Sequence, residues 1–233
     1  MEVLNSLDFS TAWAGLYPTL LEGFGVVIQA TVMGFILALI LGILVAIGRI
    51  SKYKVLNGVL VFIIEIIRGT PLLVQLVYMY YVVPLLLTII ASFFGFEQQI
   101  QIDALTAGIV GLGVNYGAYL SEVFRSAIIS IDVGQTEAAL ALGFTGKQTL
   151  LRIIMPQAFK NAVPTLGNYL VMMVKDTSLL AYITVAELLL RTKAYTSQTF
   201  LTIESYTILA GAYLVISVPL SQLVRIIEKK MKR

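Results

Sequence analysis

The sequence contains no cysteine and no histidine. The first absence excludes a disulfide framework, a thiol nucleophile and any cysteine-ligated metal. The second removes the usual imidazole acid–base and metal-ligand chemistry. Charge is scarce too: 12% of the 233 residues are Asp, Glu, Lys or Arg, against about 25% in a soluble domain. What remains for polar work is carboxylate, hydroxyl, amide, Lys and Arg, a set that suits binding and docking better than catalysis. A basic segment ahead of the first apolar run is also missing. Glu2 and Asp8 come first, and no Lys or Arg occurs before Arg49. The first apolar run therefore reads as a retained membrane span rather than a secretory signal.

What is abundant is apolar. Hydrophobic residues make up 58% of the chain, and the mean hydropathy is +0.91. So little polar surface cannot face water, and a bilayer is the fitting solvent. A span needs about 20 mostly apolar residues. Five stretches qualify: within Leu20–Ile47, within Val59–Ile90, about Ala104–Val123, within Ala162–Ala186, and about Tyr206–Ile227. The expected fold is an all-α membrane protein of about five transmembrane helices, forming one domain over residues 1–233. The second stretch exceeds one bilayer thickness, so it is expected to tilt, to kink at Pro71 or to lie partly outside the lipid.

Basic residues orient these spans. With the N-terminus outside, the cytoplasmic side holds Arg49, Lys52, Lys54, Arg125, Lys147, Arg152, Lys160, Arg225, Lys229, Lys230, Lys232 and Arg233. The outer side holds Arg191 and Lys193. Twelve against two predicts N-out, C-in. This explains the pI near 9.0 without any nucleic-acid partner; the surrounding lipid is the partner implied.

Residues 131–161 form the longest polar stretch, on the cytoplasmic side of this layout. Glu137–Leu142 is a helix-forming run, with Gly143 placed to end it. Thr145 is placed to cap a second helix over about Lys147–Ile154, closed by Pro156. Local physics alone leaves two readings open, a simple helical connector or a docking element.

The residues Glu137-Ala138-Ala139, Gly143 and Ile153-Ile154-Met155-Pro156 resemble the EAA loop of ABC importer permeases, with Met155 where the pattern usually has Leu. Three further stretches are similar to signatures of the polar amino-acid permeases: Glu65 to Gln75; Tyr116-Gly117-Ala118-Tyr119 with Glu122 and Arg125; and Lys175-Asp176-Thr177-Ser178-Leu179. The resemblance implies the type I importer fold and a place in the inner membrane of a prokaryote. It also implies a second permease copy or paralogue, an ATPase dimer that binds ATP and Mg, and an extracytoplasmic substrate-binding protein. By the same resemblance, Glu137, Ala138, Ala139, Gly143 and Pro156 would contact the ATPase.

Charges inside spans are kept where they are paired or useful. Glu65 with Arg68, and Glu122 with Arg125, are three apart and can pair on one helix face; a structural clamp is the plainest reading. Lys175 and Asp176 point about 100° apart on a helix, so each needs its own partner or a water-filled cavity. A free amino acid needs acceptors for its ammonium and donors for its carboxylate. The candidates for a substrate path are Asn115, Tyr116, Tyr119, Glu122, Asn168, Met172, Lys175 and Asp176, with ordinary helix packing as the alternative for each.

No catalytic residue or metal site is expected. Gly143 and Gly146-Lys147-Gln148 miss the phosphate-loop pattern, which needs four residues between its glycines and Ser or Thr after the Lys. ATP hydrolysis would fall to a partner, and no cofactor is expected in this chain. A channel or facilitator would need a filter or charged ring. A secondary transporter would commonly show inverted repeats. A permease for another small solute is the nearest alternative.

Overall fold

The computed structural model describes residues 7–96 and 98–231; Glu2, Lys232 and Arg233 lie outside them. All regular structure among these residues is helical. Helix α1, Phe9–Arg49, is 41 residues long, or roughly 60 Å. It begins well before the expected first span because Asp8 caps it, accepting from the Thr11 N–H at 2.9 Å. Pro18 does not stop it. Along its buried face Ala30, Gly34, Ala38, Gly42 and Ala46 recur every four residues. Such small residues let helix backbones approach closely in a membrane.

The second expected span is two helices. Helix α2, Lys54–Gly69, ends at Thr70 and Pro71, both extended. Helix α3, Leu72–Ser92, follows. The break answers to Pro71, whose ring disfavours a helical conformation at Thr70. Helix α4, Ala104–Ile129, packs along the small-residue face of α1. A Cβ added at Gly42 would lie 2.9 Å from Leu120 Cβ and 3.2 Å from the Leu120 carbonyl carbon.

Helix α5, Val133–Ala141, is capped by Asp132, so Glu137 sits in its middle rather than near its start. Its end is a Schellman turn: the Phe144 N–H donates to Ala139 O, the Gly143 N–H donates to Leu140 O, and Gly143 has φ +83°. Helix α6, Gly146–Ile183, opens with a capping box between Thr145 and Gln148. Pro156 does not close it, contrary to the expectation. A π turn, Leu150–Ile154, precedes the proline, and the Met155 N–H donates five residues back to Leu150. The wider turn eases the clash of a proline ring with the carbonyl four residues earlier. The same device recurs in α3, where the π turn Tyr78–Val82 precedes Pro84.

The last turns of α6, Thr177–Ile183, are 3-10. The chain then bends by 52° into helix α7, Leu188–Thr199. Helix α8, Thr202–Met231, closes the fold. By length and composition α1, α3 and α8 can cross a membrane, and α6 with α7 makes a bent fourth. The 26 residues of α4 span about 39 Å at the centre of the bundle. One apolar core gathers around α4, including Leu112, Leu120, Phe124 and Met173. A second, with Leu16, Val27, Leu188 and Leu209, joins α1, α7 and α8.

Candidate functional site

Tyr116 lies about 18 Å from the start of α4 and about 20 Å from its end, close to mid-height. Its hydroxyl donates to Asp176 Oδ2 of α6 at 2.6 Å. Beside this pair, Asn115 Nδ2 donates to Gln75 Oε1 at 3.0 Å. The Gln75 amide in turn donates to Ile67 O at 2.6 Å and to Thr70 Oγ1 at 2.8 Å. The break between α2 and α3 thus uses a side chain to satisfy a carbonyl that a continuous helix would satisfy itself. Of these groups, Thr70, Asn115, Tyr116 and Asp176 border a cavity of about 440 Å³, lined also by Arg68, Tyr119, Tyr169 and Met172. Its size falls in the range of roughly 300–1,000 Å³ typical of small-molecule sites.

A second cavity of about 420 Å³ continues toward the far end of α4 and holds Glu122, Ser126, Ser130, Asn161 and Thr165. The two share Arg68, Tyr119 and Tyr169. Arg68 stacks its guanidinium 5.3 Å from the Tyr119 ring centroid. The Tyr119 and Tyr169 ring centroids lie 6.0 Å apart.

Of the expected path residues, Asn115, Tyr116, Tyr119, Met172 and Asp176 gather in the first cavity, and Glu122 and Tyr119 line the second. Asn168 and Lys175 line neither and are exposed. Lys175 thus departs from its neighbour as the 100° step requires. The Glu65–Arg68 pair is loose, at 3.8 Å with the Glu65 side chain 67% exposed, because Arg68 leans toward Tyr119. Glu122 does more than pair with Arg125 at 3.0 Å: its other oxygen meets Arg49 of α1. One carboxylate therefore joins two helices.

Several members escape sequence reasoning. Arg49 counts there only as an orienting charge. Gln75 appears only as the end of the Glu65–Gln75 signature, with its Asn115 partner 40 residues away. Tyr169 carries no signal of its own, since the rings it meets are 50 or more residues away. Glu187 is fully buried. It caps α7 through the Leu189 and Leu190 N–H groups at 2.8 and 2.9 Å and accepts from the Tyr213 hydroxyl at 2.6 Å. An acid inside the apolar run Ile183–Leu190 is the available signal.

The 131–161 segment presents an outward surface. Glu137, Ala138, Gly143 and Pro156 are exposed, while Ala139 is buried. Large apolar side chains stand beside them, with Leu142 79% and Val133 69% exposed.

Residues 38–233 match the family model described as binding-protein-dependent transport system inner membrane component. The chain is 34% identical over 225 residues to the glutamine transport system permease protein GlnP of Escherichia coli, spanning 97% of this chain and 98% of that protein. A probable amino-acid ABC transporter permease protein of Sinorhizobium fredii is 35% identical over 218 residues, or 94% and 89% of the two chains. Among solved structures, the crystal structure of an amino acid ABC transporter with histidines matches with a TM-score of 0.82 at 32% identity, covering 97% of this chain and 99% of that one. This chain belongs to the family of binding-protein-dependent transport system inner membrane components, the multi-pass permease subunits of ABC importers.

Proposed function

We propose that this permease carries a polar amino acid inward, with the Asp176 cavity on its path. The observation that carries this reading is the pairing of opposite charges in that cavity. Asp176, steadied by the Tyr116 hydroxyl, offers an acceptor for an ammonium. Arg68 lines the same cavity and offers donors for a carboxylate. Asn115 and Thr70 add neutral polar groups. A zwitterion finds both its complements there, at about half the depth of the membrane.

In this reading residues 1–233 form one membrane domain of five spans, with α4 as the fifth crossing helix, the N-terminus outside and the C-terminus in the cytoplasm. Residues 131–161 are the coupling segment. Glu137, Ala138 and Gly143 face an ATPase subunit, Ala139 holds the segment to the permease, and Pro156 marks its return into the membrane. The exposed Leu142 and Val133 suit a partner surface. The ATPases bind ATP and Mg; a second permease copy or paralogue and an extracytoplasmic binding protein complete the assembly. Glu122, with Arg49 and Arg125, serves as a structural clamp. Asn168 and Lys175, exposed on this chain, face water or the second permease rather than lipid, because an unpaired ammonium in hydrocarbon costs at least about 2.5–3.5 kcal/mol.

The test is ATP hydrolysis in liposomes holding the permease, its ATPase and its binding protein, with single amino acids offered in turn. One amino acid should stimulate hydrolysis. Asp176→Asn should abolish the stimulation while basal hydrolysis persists. Gly143→Val, which cannot easily adopt φ +83°, should uncouple the two. Hydrolysis indifferent to every amino acid would overturn the amino-acid reading.

A further inference from the structure

The two cavities meet at one place, the layer formed by Arg68, Tyr119 and Tyr169. No other described residue lines both. Tyr119 and Tyr169 are fixed: one stands on α4, the best-packed helix, and the other on α6, where it also meets Tyr116 edge-on at 6.2 Å. Arg68 is held differently. It occupies the last turn of α2, and the only buried residue of that helix is Ile64. Its carboxylate neighbour Glu65 is 3.8 Å away and mostly exposed, too far for a hydrogen bond. Directly after it come Gly69 and the extended Thr70-Pro71 break, and a side chain at Gly69 would meet open space. Among the described residues, the one firm contact of the guanidinium is the Tyr119 face.

We propose that Arg68 is a gate between the two cavities, closed while its guanidinium lies on Tyr119 and opened when it leaves. Motion of α2 about the Thr70-Pro71 break carries it away at the cost of the Gln75–Ile67 hydrogen bond that spans the break, while Tyr119 stays on α4. The gate has a built-in trigger. A carboxylate in the Asp176 cavity competes with the Tyr119 ring for the guanidinium, and a charge-assisted bidentate contact outweighs a cation–π contact. A zwitterionic cargo thereby draws the gate off its seat, whereas a cargo lacking a carboxylate leaves it closed. This rests on the proposed path through the first cavity and assigns Arg68 a role beyond the clamp with Glu65.

The absence of cysteine permits a direct test, with no thiol background from this chain. Met172→Cys places a reporter thiol in the first cavity, and Ser126→Cys places one in the second. In the assembled transporter in inside-out vesicles, without substrate, a small charged thiol reagent is added from the side of the 131–161 segment. With Arg68 present, the thiol at position 172 should react slowly and the thiol at position 126 quickly. Arg68→Ala should raise the rate at position 172 about tenfold, the scale set by losing one cation–π contact, and leave the rate at position 126 unchanged. Arg68→Lys, which retains a cation over the ring, should fall between, and Tyr119→Leu should reproduce the alanine result. Equal rates at position 172 with and without Arg68 would overturn the gate. So would a matching rise at Val174→Cys, a buried position on α6, because that would mean general loosening. The labelling rate needs no knowledge of the cargo, so an incorrect substrate assignment would leave this result standing.

Discussion

Helices α2 and α4 differ more than any other pair of neighbours. Thirteen of the 26 residues of α4 are buried, against one of the 16 in α2. Yet α2 presents the larger aliphatic and aromatic side chains, with Val55, Leu56, Val59, Phe62, Ile63 and Ile66 all exposed on this chain. The buried residues of helix α4 include four glycines, an asparagine, a tyrosine and a serine. In water the greasier face would lie inside. In a bilayer the order reverses: aliphatic side chains face lipid at no cost, and polar or small residues go to the helix–helix seams. Burial in this protein therefore follows shape and hydrogen bonding rather than hydrophobicity. It leaves one rigid centre and one loosely held arm.

Glycine substitutions give the largest expected contrast. Gly42→Leu drives a side chain into Leu120 and its backbone and should cost about 3 kcal/mol, at the upper end for overpacking. Gly58→Leu, in open space within α2, should cost nothing and gain up to about 1 kcal/mol of helix propensity. Thermal unfolding of the two variants in detergent checks this, and equal losses would erase the distinction between centre and arm. A smaller effect is expected at the end of the seam. Glu122→Gln leaves Arg49 and Arg125 facing each other without a carboxylate. At side-chain exposures of 13–32% the loss should be about 2 kcal/mol, below the roughly 3–5 kcal/mol of full burial. The double variant Glu122→Gln with Arg49→Met should recover part of it, which a purely steric effect would not.

The smallest effect lies at the opposite tip of α1. Asp8 caps that helix, and hydrogen bonds from Thr11, then Ser10, hold its carboxyl at about 2 instead of the ordinary 3.8. The depressed value means the folded state favours the ionised form. Its contribution is complete above pH about 4 and disappears as the pH falls toward 2. Asp8→Asn should flatten a shallow loss of thermal stability over that window and change nothing at pH 7 beyond the cap itself. An unchanged acid profile would show that the cap does not couple to unfolding.

The parts of this molecule that short-range chemistry decides are legible from residues alone. Gly143 and Thr145 stop one helix and start the next because a positive φ and a capping hydroxyl act within a few residues. The basic-residue pattern and the apolar runs likewise announce a membrane fold. Pro156 misleads because its stop signal is answered by a helix that widens into a π turn. The start of α1 is hidden because Thr11, Trp13 and Tyr17 dilute the hydropathy of a segment that a side-chain cap makes helical. At the site, Tyr116 and Asp176 both stand out as polar residues in apolar spans, but their bond crosses 60 residues. Arg68 reads as the partner of Glu65 because helical spacing favours near neighbours. Only the fold brings Tyr119 to its guanidinium.

The two π turns carry a consequence for anyone who aligns or redesigns this chain. Each adds one residue to a helix without adding a turn, so the face presented upstream is shifted by about 100° from the face that regular α periodicity would assign. A helical wheel drawn straight through Gly146–Asp176 mislabels the inner side of Gly146–Thr149. A one-residue deletion within Leu150–Ile154 is therefore not a minor trim. It would restore ordinary periodicity and turn the whole outward-facing segment like a key in relation to the span it feeds.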